Sequence, residues 1–445
     1  MKNVPLTPDR RRRTPRLAPL LLCPLLLFWG CSDNVEVDAA GASVDVGPVA
    51  TDRPEGAADL PEEVYPDEAP PLPAESAAGE GMSAGEALGL PSEPIRGIYL
   101  NAWAAGSERR LAELIDRAVE TRVNTFVIDV KEVGEISYQS EVPMALEVGS
   151  SRSMIRDPAA VVQRVRDAGI RPVARIVLFR DPVLAEARPD LAVQDSVNGG
   201  MWKDAAGHRW VDSFNREVWG YNLAIAREAV RLGFEEIQFD YVRFPDAPNA
   251  LLATADFPAR DGRIRVDGVR DFLVYAADAD LGVPVTIDVF GLATTARTDL
   301  GIGQLWEEFA DLVGGVLPMV YPSHYGAGSY GFAEPNTEPY QVMLKALQDG
   351  TRRSEAMGAR SRIIPWIQDF TLGAPRYGTD EILAQIRAVE DAGLDDWILW
   401  NPSSRYTWDA LRGEREGLHR ADGLMYVPLP DAEAQRTVAS SEEGR

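Results

Sequence analysis

The sequence predicts an α/β fold: a (β/α)8 TIM barrel preceded by a signal peptide and a disordered acidic linker. Three observations lead there. Strand-like runs alternate with helix-like runs eight times between residues 94 and 425. Glycines recur at the same junction, each closing a helical run a few residues before the next strand. No Gly-x-Gly-x-x-Gly follows the first strand, which counts against a dinucleotide-binding open sheet. Alternating strand and helix means parallel strands with crossover helices, and eight such units is the number that closes a barrel.

Residues 1–31 read as an export signal. Arg10 to Arg13 and Arg16 supply a basic start, and an apolar run from Leu17 to Trp29 follows that is short for a bilayer span. Gly30-Cys31-Ser32 is similar to the lipobox of bacterial lipoproteins, which makes Cys31 the expected lipidation site and a membrane the expected partner through that anchor. The expected location is the bacterial cell envelope, on the outer membrane if the cell is Gram-negative. Residues 32–93 carry fifteen Asp/Glu and one Arg, with few large apolar side chains. Such a stretch cannot bury enough surface to offset its chain entropy and reads as a tether.

The formal charge of −24 argues against nucleic acid as a partner, since phosphate binding needs a basic surface. The two cysteines, Cys23 and Cys31, both lie in the leader, and only three histidines exist. Neither a thiol nor a multi-histidine metal centre is therefore expected, nor any cofactor.

The eight expected strands are 95–101, 123–131, 171–179, 235–241, 284–290, 312–321, 362–368 and 396–401. Between them, stripes such as Leu111, Leu114, Ile115 and Ala118, or Ile382, Leu383, Ile386 and Val389, have helical spacing. Gly169, Gly233, Gly282, Gly358 and Gly393 are placed to end helices. Asp157-Pro158 and Thr379 are placed to begin them. Residues 426–445 read as a flexible tail.

In a barrel the chemistry sits at the carboxyl ends of the strands. Those ends carry Asn101 and Trp103 on the first strand, Asp129, Lys131 and Glu132 on the second, and Asp240 and Arg243 on the fourth. Asp288 ends the fifth, Tyr321 and His324 the sixth, Trp366, Gln368 and Asp369 the seventh, and Trp400 the eighth. Strict alternation aims Asn101, Asp129, Lys131, Asp240, Asp288 and Gln368 inward. Carboxylates at several strand ends beside tryptophan and tyrosine are what glycoside hydrolysis requires: one acid protonates the leaving oxygen, and another attacks or activates water. Aromatic rings stack on sugar faces. Asp240 and Asp288, on neighbouring strands, are the expected catalytic pair. The remaining strand-end residues named above are expected to bind a polysaccharide or oligosaccharide substrate, with Asp129, Glu132 and Asp369 as the reserve candidates for the catalytic acids. A non-catalytic carbohydrate-binding barrel is the alternative.

Several motifs carry a family resemblance. The run from Trp202 through Asn215 and Tyr221 to Ile237-Gln-Phe-Asp-Tyr-Val-Arg-Phe-Pro245 resembles the DUF4015 glycoside-hydrolase barrel family. So do Arg96-Gly-Ile-Tyr-Leu-Asn-Ala-Trp103, Asn124-Thr-Phe-Val-Ile-Asp-Val-Lys131, Pro318-Met-Val-Tyr-Pro322-Ser-His324 and Pro365-Trp-Ile-Gln368. The resemblance covers residues 94–425 and implies a (β/α)8 barrel acting on a polysaccharide. More distantly the chain is similar to the α-amylase-like clan, in which an aspartate ending strand four is the nucleophile. That matches Asp240, while Asp288 stands on strand five, where that clan usually has a glutamate.

Overall fold

The computed structural model describes residues 89–412. The leader with Cys31, the linker up to residue 88 and the tail 426–445 lie outside the described residues. Eight strands form one ring: β1 Arg96–Leu100, β2 Thr125–Glu132, β3 Arg171–Val177, β4 Glu236–Asp240, β5 Val285–Phe290, β6 Gly315–Met319, β7 in two pieces (Arg362–Ile363 and Trp366–Gln368) and β8 Trp397–Trp400. Each pairs in parallel with its neighbours. β1 pairs with both β8 and β2, which closes the barrel. Each expected strand overlaps one of these, with β2 running one residue past its expected end, so the fold class read from the alternation holds.

Crossover helices follow the first seven strands in turn: α1 Glu108–Val119, α2 Pro158–Asp167, α3 Arg216–Arg231, α4 Arg265–Asp278, α5 Trp306–Phe309, α6 Pro339–Met357 and α7 Thr379–Asp391. α1 buries Leu111, Leu114, Ile115 and Ala118 as its spacing requires. α7 buries Ile382, Ile386 and Val389. Leu383 was expected in that stripe but stays 42 % exposed, because it stands one residue, about 100° of helical rotation, from Ile382. Asp157 caps α2 by accepting from Ala160 N at 3.0 Å, with Pro158 in the first turn. The cap of α7 is Gly378 rather than Thr379: its N–H donates to Glu381 Oε2 at 2.8 Å.

The apolar core has two layers. One lies between the ring and the helices, where Ile237 and Phe239 of β4 pack. The other fills the barrel with Ile95, Tyr99, Val127, Val173, Leu317, Trp366 and Ile398. Leu90 belongs to this second layer at 3 % exposure. The expected linker boundary at residue 93 is therefore too late, because composition over a long window hides one buried leucine.

A break in β2 decides what reaches the barrel mouth. Asp129 is paired with Arg175 and Lys131 with Ile176, so the register slips by one across Val130. A bulge of this kind reverses the facing of everything after it. Lys131 was expected inside but turns out toward α3, and Glu132 turns in. The strand then leaves through Val133 and Gly134, both at positive φ (45° and 84°), into a short antiparallel strand, Glu135–Ile136. Two consecutive positive φ values are what a two-residue hairpin turn needs. Gly134 has no alternative there, since a Cβ would lie 2.3 Å from Asp181 Oδ1.

Candidate active site

The mouth is built around Arg175, an inward residue of β3 whose side chain is 2 % exposed. Its Nη1 donates to Asp129 Oδ1 at 2.6 Å and to Glu132 Oε2 at 2.5 Å. Its Nη2 and Nε donate to Asp240 Oδ2 at 2.5 and 3.0 Å. Asp288 Oδ2 stands 3.9 Å from Nε. The guanidinium is flanked by rings as well, 5.7 Å from Tyr99 and 5.3 Å from Trp400, which stack on each other with centroids 4.0 Å apart. Four acids from β2, β4 and β5 thus converge on one cation.

Their surroundings differ. Asp129 accepts from Tyr99 Oη on its second oxygen. Burial pushes its pKa up to about 7 against the pull of Arg175, and the charge of Glu132 adds to the rise. Asp240 Oδ1 accepts from Tyr241 N at 2.5 Å. Tyr241 itself sits at φ 53°, a conformation that costs a tyrosine energy. Asp288 is deepest, at 1 % exposure. It accepts from Gln238 Nε2 on both oxygens, at 2.8 and 2.9 Å, and from Trp366 Nε1 at 2.6 Å. Burial, and then the nearby charge of Asp240, raises its pKa well above the usual carboxylate range. Burial also raises Tyr321.

The other expected site residues scatter. Lys131 is fully buried behind the ring. It pairs with Asp181 at 2.7 Å and donates to Asn222 of α3 and to the carbonyl of Val177, so the inward aim expected for it is corrected by the bulge. Asn101, also expected inward, is spent as a helix cap: its Oδ1 accepts from Ala104 N and its Nδ2 donates to Pro402 O. Trp103 stands on the short helix Ala102–Gly106 at 72 % exposure. Trp366 is buried beneath the mouth with its edge to Trp400. Gln368 Oε1 accepts from the backbone and hydroxyl of Ser323. Asp369 ties down the last loop by accepting from Thr407 N and Oγ1, and burial lifts its pKa to about 6. His324 is exposed, with its ring edge-on to Tyr321. Arg243 lies over Tyr241 and Phe290, 4.7 Å from each, and over Trp210 at 5.1 Å.

Arg175, Tyr99 and Gln238 were not among the expected site residues. A signal existed for Arg175: an arginine in the middle of an otherwise apolar strand must be paired if buried.

Residues 97–406 match the family model DUF4015, described as "Putative glycosyl hydrolase domain". The chain belongs to this family. The matched span contains Asp129, Glu132, Arg175, Asp240 and Asp288, so the whole cluster lies within the DUF4015 domain. No curated protein matches the chain. Among solved structures it is similar to a hypothetical protein from Ruminiclostridium thermocellum at 38 % identity, covering 43 % of this chain and 97 % of that one, with a TM-score of 0.40. The glycoside hydrolase domain of PgaB (BpsB) from Bordetella bronchiseptica aligns at 15 % identity over 72 % of this chain and 98 % of that one, TM-score 0.54. The α-L-fucosidase isoenzyme 2 from Paenibacillus thiaminolyticus aligns at 13 % identity over 73 % of this chain and 49 % of that one, TM-score 0.50. At such identities the last two bear on the fold alone.

Proposed function

We propose that this DUF4015 barrel hydrolyses an O-glycosidic bond of a polysaccharide at the bacterial envelope, with Asp240 as the carboxylate at the reacting carbon. The observation that carries the reading is the convergence of Asp129, Glu132 and Asp240 on buried Arg175 at the carboxyl ends of β2, β3 and β4. Bonds from both Nη2 and Nε of one guanidinium fix the aim of Asp240, and charge-assisted bonds of this kind are short and directional. Negative charge held there stabilises an oxocarbenium-like transition state or forms the glycosyl ester. Stacked Tyr99 and Trp400 offer an aromatic wall beside it. Asp288 is more deeply buried than Asp240, with 1 % of its side chain exposed against 8 %, and it supports the reacting acid from below instead of meeting the sugar.

The test is Asp240→Asn, which keeps the shape and removes the charge. Reducing-end release from a panel of polysaccharides should fall about a thousandfold or more, roughly 4 kcal/mol of transition-state stabilisation, with the melting curve retained. Near-normal turnover by the variant would remove Asp240 from the chemistry. We also propose that Cys31 carries the lipid anchor, on the basis of the basic, apolar, Gly-Cys order of the leader. A fatty-acid analogue should label the wild type and not Cys31→Ser; equal labelling overturns the anchor.

A further inference from the structure

We infer that Glu132 is the second carboxyl of the pair and donates the proton to the leaving oxygen; this rests on the hydrolase reading above. Four observations single it out. First, the bulge at Val130 turns Glu132 into the mouth, on the opposite side of Arg175 from Asp240. One acid takes Nη1 and the other takes Nη2 and Nε. Two carboxylates on one guanidinium lie no further apart than the roughly 9.5 Å upper limit for paired glycosidase carboxyls.

Second, Glu132 is the most open of the four acids. Its side chain keeps 18 % exposure, against 8 % for Asp240, 3 % for Asp129 and 1 % for Asp288. Third, it alone has an uncommitted oxygen. Asp129 is bound by Arg175 and Tyr99, Asp240 by Arg175 and Tyr241 N, and Asp288 by Gln238 and Trp366. Glu132 Oε1 is buried and has no hydrogen-bond partner among the described residues. A buried polar atom without a partner calls for an explanation, and an acid must keep one oxygen free for the proton it delivers. Fourth, the chain leaves both acids through a non-glycine residue at positive φ, Val133 after Glu132 and Tyr241 after Asp240. Strain of that kind gathers where a side chain must be aimed.

In the reaction the Glu132 carboxyl transfers its proton to the glycosidic oxygen as the bond from that oxygen to C1 breaks, and the aglycone departs as an alcohol. Water then adds to C1, and the proton it sheds restores the carboxyl pair.

The experiment compares wild type with Glu132→Gln in the full chain on two kinds of probe. On any polysaccharide that the wild type cleaves, the variant should lose a hundredfold or more, the usual scale of general acid catalysis. On 2,4-dinitrophenyl glycosides, whose leaving group needs no proton, it should lose less than tenfold. Equal losses on both probes, or full polysaccharide activity, overturn the role. If the wild type cleaves neither kind of probe, the hydrolase reading fails and the proton-donor role falls with it. A second arm needs no turnover and no variant. Folded wild type is treated with a water-soluble carbodiimide and glycine ethyl ester, and its peptides are weighed. Glu132 should be modified ahead of Asp129, Asp240 and Asp288, whereas prior labelling of Asp288 or Asp240 contradicts the geometry.

Discussion

The two ends of this barrel treat charge in opposite ways. On the floor, where the strands begin, buried acids have their own arginines. Glu236 faces Arg171 at 3.2 Å and accepts from Thr286 Oγ1 at 2.7 Å, and Asp396 accepts from Arg362 Nε at 2.8 Å. At the mouth Asp129, Glu132 and Asp240 all bond to Arg175, with Asp288 close behind. Pairing one to one is how a fold neutralises charge it cannot avoid burying. Sharing one cation among several acids leaves excess negative charge in a dry place, which stability does not ask for and chemistry does. Active sites occupy this same end of known barrels.

The comparison is broken most directly by removing one arginine from each end. Arg175→Met leaves buried carboxylates without their common cation, and stability should fall by about 3–5 kcal/mol, the scale for an uncompensated buried charge. Arg171→Met removes the cation 3.2 Å from Glu236 while Thr286 still donates to the other oxygen, so the loss should be nearer 1–3 kcal/mol. Urea denaturation of the two variants decides the matter. Equal losses would mean that the mouth is no more strained electrostatically than the floor.

The same contrast separates what could be read in the sequence from what could not. β4 and β5 pair without a slip, so period-two alternation puts Asp240 and Asp288 inside, as expected, and Gln238 with them. In β2 one extra residue reverses the pattern. Lys131 goes to the helix layer and Glu132 to the mouth, and no feature of Val130 announces the change. Asn101, Gln368 and Asp369 do sit at strand ends, but their hydrogen bonds go to a helix start and to two loops. Residue type and position cannot distinguish an acid that reacts from one that ties down a loop. The ring itself was legible because every strand, turn glycine and apolar stripe repeats the same message.

A smaller effect sharpens the contrast through protons. Burial raises Asp129 to about 7, so the fold holds this carboxyl neutral where the unfolded chain releases its proton. A carboxyl raised in this way contributes most below its unfolded pKa, and that contribution fades as pH climbs from about 4 to 7. Burial lifts Glu236 on the floor as well, against Arg171. Melting temperatures taken across that window should fall less steeply with rising pH in Asp129→Asn than in wild type, and Glu236→Gln should flatten the curve less. Parallel curves for wild type and Asp129→Asn would show that Asp129 holds no such proton.

The smallest expected effect concerns the backbone. On the floor, the turn into β8 takes its left-handed residue as glycine: Gly393 has φ 80° and open space where a Cβ would stand. At the mouth, the turn leaving Glu132 takes it as Val133 at φ 45°, a β-branched residue in a region it strongly disfavours. Gly393→Ala meets no clash, so it should cost only the left-handed penalty, about 1 kcal/mol. Val133→Asn should run the other way and gain about 1 kcal/mol, because asparagine tolerates the first position of a turn with two positive φ values. Chemical denaturation of both single variants tests the pair. Opposite signs mean that the mouth keeps a strained residue where the floor has relieved one. A loss from Val133→Asn would mean that the valine side chain contributes packing worth more than the strain, and the turn after Glu132 would then owe its shape to its neighbours.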